Sequence, residues 1–161
     1  MNPTLAPLLA QLKVNDWLFR QSLDGLTAAE VARSPDGQVN SAHWVAGHMA
    51  ATRAVLAHLL GLPQEPSPFG GVFDRGAPFD PAAVYPALPE ITALFAALGE
   101  RIRERAAAIP ADDLAAPAPF NLPIADKTIL GAVAFLLLHE SYHAGQLGYL
   151  RRLLGHASVT G

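Results

Sequence analysis

Cysteine is absent from this 161-residue chain. Disulfides, thiolate metal ligands and a cysteine nucleophile are thereby excluded together, and any metal site must draw on His, Asp, Glu or water. A cysteine-free chain fits a reducing cytoplasm, which is the expected location. Basic charge is scarce as well. Eleven Lys and Arg stand against 14 Asp and Glu, the net charge is −3 and the pI is near 6.0, so nucleic acid is not an expected partner. Long hydrophobic runs are also lacking. The apolar stretch Ile129 to Leu138 is far shorter than the roughly 20 residues that span a bilayer, and no membrane segment is expected. The opening MNPTLAPLLAQLKVNDW has no basic segment followed by an apolar core, which predicts no secretory signal. Neither an internal repeat nor a β-type alternation stands out.

What remains is 51% apolar, with many Ala and Leu, the composition of a helical protein. The length suits a single domain over residues 1–161. Leu5, Leu8, Leu9, Leu12 and Leu18 recur at helical spacing and predict a helix over about residues 4–22, with Gly25 just beyond. Thr27 to Glu30 reads as a capping box opening a short helix, and Ser34-Pro35-Asp36-Gly37 as a turn. A second long helix starts at Asn40 or Ser41 and ends at Gly61. Residues 63–86 carry Pro63, Pro66, Pro68, Pro78, Pro81 and Pro86 with Gly70, Gly71 and Gly76. They read as a long crossover with a short turn of helix after Asp80, pinned to the body by Phe69, Phe73 and Phe79. A connection of this length is often functional. A third long helix is expected over Pro89–Ile109, with Arg101, Arg103, Glu104 and Arg105 as its solvated end. A fourth is expected over Thr128–Leu154, stopped by Gly155. The fold class is therefore all-α: a four-helix bundle with a long crossover between helices two and three.

One short stretch, HESYHAGQ at 139–146, spells the H-E-x-x-H of zinc peptidases. At about 100° per residue, His139 and His143 lie about 40° apart, on a stripe shared with Ala132, Phe135, Leu136, Gln146, Leu150 and Leu153. On the second long helix, His48 occupies the centre of an apolar stripe with Ser41, Trp44, Val45, Ala51, Thr52, Val55 and Leu59. His43 falls on the surface side and His58 at the edge. Imidazoles at i and i+4 can converge on one ion, and His48 completes a three-nitrogen face if the two helices are neighbours. The competing reading is three hydrogen-bonded core histidines. Burying imidazoles without partners is unfavourable, however, and a shared metal would remove that penalty.

Proteolysis fits poorly. Only 18 residues follow His143; none is acidic, and their one histidine, His156, lies beyond Gly155. Glu140 points toward the edge of the stripe, as a general base, a partner that orients a ligand histidine, or a surface carboxylate; the last two are favoured. Tyr142 and Gln146 are further candidates for the pocket or for hydrogen bonds to the ligands. No catalytic residue can be named.

These residues carry a resemblance. ILGAVAFLLLHESYHAGQLGYLRRLLG, 129–155, is similar to the C-terminal signature of the DinB/YfiT-like metalloenzymes through His139, His143, Gly145, Gln146, Arg152 and Gly155. NSAHWVAGHMAATRAVL, 40–56, resembles their earlier signature, with a Ser opening the helix and His48 at the ligand position. The resemblance implies a DinB-like four-helix bundle, often a homodimer, with nickel or zinc on three histidines. Imidazole ligation suits either ion. It further implies a transferase that joins low-molecular-weight thiols such as bacillithiol, mycothiol or glutathione to electrophiles, or a thiol-assisted isomerase. A non-catalytic metal-binding helical dimer and a metal-dependent hydrolase stand as the alternatives.

Overall fold

The computed structural model of the chain describes residues 3–35, 37, 39–63 and 69–161. The expectations for Asp36, Pro66 and Pro68 lie outside these residues. After a turn of 3-10 helix at Pro3–Leu5 come α1 (Ala6–Leu23), α2 (Ala28–Ala32), α3 (Ala42–Leu59), α4 (Leu88–Ala108), α5 (Ala111–Ala115) and α6 (Ile129–Leu153). No strand occurs among the described residues, only an isolated bridge between Pro117 and Thr128.

Local chemistry explains the boundaries. The Thr27 hydroxyl accepts from the Glu30 amide while the Glu30 carboxylate accepts from the Thr27 amide, closing the expected capping box of α2. Ser41 caps α3 by accepting from the Trp44 amide, and Thr128 caps α6 by accepting from the Gly131 amide. Gly61 ends α3 at φ +84°, a conformation that a side chain would strain. Two expectations are corrected. The segment after Asp80 forms only a turn, held by Asp80 accepting from the Ala82 and Ala83 amides. The end of α4 is not simply solvated: Arg103 pairs with Asp16 and Glu100, and Arg105 donates to the Leu60 carbonyl. The five-residue α5 was not expected.

Four long helices form a ring, α1 touching α6 and α4, and α3 touching α4 and α6. Contacts give their directions. Gln11 meets Ser141 and Asp24 meets Arg151, so α1 and α6 run parallel. His43 meets Pro86 at one end and Leu60 meets Arg105 at the other, so α3 and α4 also run parallel. By contrast, α3 and α6 are antiparallel, since His48 faces His143 while Arg53 faces Glu140. A chain leaving one parallel helix for the other must return along the bundle, about 27 Å for an 18-residue helix. The connection between Leu59 and Leu88 is long enough for such a return.

Apolar packing falls into two layers. One gathers Leu12, Leu56, Leu98, Ile102, Val133 and Leu137; the other gathers Phe19, Val45, Met49, Phe95, Ala144 and Leu147. Between them lies a charged layer. Arg53, fully buried on α3, donates twice to Glu140 of α6 (2.8 and 2.6 Å), also donates to Asp16 of α1 and to the Phe95 carbonyl of α4, and lies 3.3 Å over the Phe95 ring. All four long helices meet on this one guanidinium.

Candidate metal centre

One helical turn above the charged layer, α3 and α6 bring His48, His139 and His143 together. Their ligand atoms all lie within 4.8 Å of one another, and no other residue joins the group among those described. His48 and His143 are buried, and His139 is half-buried. The ring centroids of His48 are 4.7 Å from His143 and 5.3 Å from His139. The Nε2 atoms of His139 and His143 face each other at 3.1 Å.

Hydrogen bonds set which nitrogen each ring offers. His48 Nδ1 lies 2.7 Å from the Phe73 carbonyl, which can only accept, so Nδ1 carries the proton and Nε2 is left with its lone pair. His143 Nδ1 donates to Gln146 Oε1 at 2.7 Å, with the same result. The Nδ1 of His139 is buried without a partner among the described residues. Burial pushes the His143 imidazole down to about 4, with His139 and His48 adding to the effect against the Gln146 hydrogen bond. His139 is lowered too, first by burial and then by His48 and Arg75. Near neutrality both α6 rings are thus neutral, the form that ligates a metal.

The donor set fits a divalent ion. Two nitrogens that each lie about 2.0–2.1 Å from one zinc-like ion are at most about 4.2 Å apart. The 3.1 Å pair meets that limit, and a short approach by His48 brings in the third.

Two supports come from outside the histidine motif. Phe73 is fully buried with its ring against Gly47, and a Cβ at Gly47 would overlap that ring. The contact seats the loop so that the Phe73 carbonyl reaches His48. A glycine inside a helix signals close approach, so Gly47 was a usable sign; a backbone carbonyl in a proline-rich loop leaves none. The strap continues through stacked rings, Phe73 on Tyr85 at 5.2 Å and Phe79 on Tyr85 at 6.4 Å. It ends where His43 Nε2 donates to the Pro86 carbonyl at 2.7 Å, so His43 is half-buried and not the surface residue expected. Trp44 stacks on His48 at 5.1 Å and 10°. Gly47→Ala should unseat the strap and release His48 Nδ1. The expected result is metal affinity lowered about 10–100-fold, as for lost partners of ligand histidines, with helicity retained. Metal titration and circular dichroism check it; unchanged affinity would mean that Phe73 does not hold His48.

The other sequence candidates separate. Gln146 touches the His143 ring directly. Tyr142 is mostly exposed, its ring edge-on to His143 at 5.2 Å. Glu140 is neither a surface carboxylate nor a partner of an imidazole. It is buried, and both oxygens are held by Arg53.

A family model described as the DinB superfamily matches residues 11–147. That span contains all three histidines, Glu140 and Gln146, and stops short of Arg152 and Gly155. No curated protein sequence matches the chain.

Proposed function

This chain belongs to the DinB superfamily, and on that premise we propose that it is a divalent-metal-dependent enzyme that transfers a low-molecular-weight thiol to an electrophilic small molecule. The observation that carries the reading is the convergence of three imidazoles with no carboxylate among the described residues in the cluster. Nickel or zinc on these nitrogens would supply a Lewis acid that favours the thiolate, the nucleophilic form of sulfur. His48 and His143 hydrogen-bond Phe73 and Gln146, and His139 is only half-buried, which suits the approach of a ligand. The chain has no cysteine, so sulfur must arrive with the cosubstrate. A reducing cytoplasm suits both that thiol and this composition. No described helix is long and apolar enough to cross a membrane.

Hydrolysis by metal-bound water is the weaker reading, because the carboxylate nearest in sequence, Glu140, is occupied by Arg53. A purely structural metal is disfavoured by the partial exposure of His139.

The test loads the protein with nickel, zinc or cobalt, following uptake by quenching of Trp44, whose indole stacks on a ligand ring. Thiols and electrophilic acceptors are then paired in a broad panel. Adducts should form only with metal present and vanish in His139→Ala. No metal-dependent adduct across the panel sinks the reading; a thiol that never enters the cobalt coordination sphere favours a structural site.

We also propose a homodimer. On α6, Leu138, Tyr142 and Tyr149 are exposed in one stripe, and Val14 and Trp17 of the parallel α1 are exposed as well. Contiguous apolar surface of this kind marks an interaction face. Light scattering at micromolar concentration should give twice the chain mass, and Leu138→Glu with Tyr149→Glu should give a monomer. A native monomer overturns it.

A further inference from the structure

The proposed reaction leaves unexplained an exposed cation in the strap beside the site. Arg75 lies in the aromatic strap, exposed, and no hydrogen bond or ion pair engages its guanidinium among the described residues. A solvated arginine on a free loop would mean little. This one is two residues from Phe73, whose ring is clamped on Gly47 and whose carbonyl accepts from His48. Two residues of chain extend no more than about 7.6 Å between Cα atoms, so the Arg75 backbone stays close to the residue whose carbonyl touches His48. Its charge reaches His139 electrostatically.

The local charge balance is one-sided. Three imidazoles contribute no negative charge, and no carboxylate of the described residues joins them. Glu140, the acid between the two α6 histidines, is paired with Arg53 inside the bundle, and Asp74, next to Arg75 in the strap, has an interaction of its own. A divalent ion here keeps its full charge, and Arg75 adds another cation at the rim. Such a site favours a ligand with two negative groups: one atom for the ion and an oxyanion for the planar guanidinium fork, which matches a carboxylate.

We propose that Arg75 is a specificity-determining residue that pairs with a carboxylate on the incoming thiol, so that the enzyme selects anionic thiols over neutral ones. This rests on the metal–thiol reading above, which the experiment tests separately. Cobalt-loaded protein is titrated with mercaptocarboxylic acids of two to four carbons and with their methyl esters, and the thiolate-to-cobalt absorption band is followed. At least one acid should bind about tenfold tighter than its ester. That ratio should fall toward one in Arg75→Gln and be partly kept in Arg75→Lys, with bound cobalt unchanged in both. If no thiol, acid or ester, produces the band, the metal–thiol reading fails and this inference falls with it. If thiols bind but the native protein ignores the carboxylate, or Arg75→Gln keeps the full preference, the role of Arg75 alone is overturned.

Discussion

Arg53→Met should destabilise the protein by roughly 3–5 kcal/mol, the range for removing one partner of a buried ion pair. That is a large part of the roughly 5–15 kcal/mol that holds a typical domain together. The side chain has no exposed surface, and its guanidinium joins Glu140, Asp16 and the Phe95 carbonyl. Without it, the Glu140 carboxylate is left buried with no cation. The loss therefore comes mostly from stranding Glu140, which a second substitution can reveal. Arg53→Met combined with Glu140→Leu removes both charges and should recover a good part of the stability, because apolar replacement of a whole buried pair is often tolerated. Urea unfolding of native, single and double variants measures this. If the double variant loses the sum of the two single losses, the pair does not act as a unit.

The same layer bears on the metal centre. Arg53 sits five residues beyond His48, and Glu140 sits between the two α6 histidines. The ion pair joins α6 to α3 next to the place where His48 and His143 face each other. The double variant should accordingly fold yet bind metal less well than the native chain.

The histidine face was legible because helical periodicity is a strong signal: His48, His139 and His143 each fall on an apolar stripe, and the stripes meet where two helices touch. The long helices were legible through their apolar periodicity and through the Ser41 cap, whereas the Thr128 cap emerged only with the structure. The charged layer was not. An arginine and a glutamate on separate helices read alike whether solvated or paired inside a bundle, and their burial depends on tertiary packing that no local pattern encodes. The H-E-x-x-H spelling even pointed the other way, since its glutamate suggests a base beside the metal. What decides the matter is Arg53, 87 residues away in sequence. The Phe73 carbonyl was hidden for a different reason, being backbone with no side-chain signature of its role.

Removing a ligand should have the second large effect, and its pH dependence distinguishes metal binding from packing. His143→Gln should lower metal affinity by more than the roughly 10–100-fold expected for a lost partner of a ligand, because a donor itself is gone. The native metal-free protein should lose stability as pH falls from about 6.5 toward about 4. The sign follows from proton counts. The unfolded chain protonates His143 near the ordinary value of 6.5, whereas the folded chain resists until about 4. Between these values the unfolded state holds more protons, so stability rises with pH and is complete above 6.5. His139, lowered in the same direction, steepens the slope. A bound ion adds stability at neutral pH, about 4 kcal/mol at a thousandfold excess over its Kd. That increment should shrink on acidification as protons displace the ion. Melting curves of metal-free and metal-loaded protein at pH 7.5, 5.5 and 4.5 should therefore converge toward the acid end. In His143→Gln the gap between the two curves should shrink at every pH, and the acid slope of the metal-free form should be shallower. A gap between the curves that persists unchanged in this variant would show that the ion sits elsewhere.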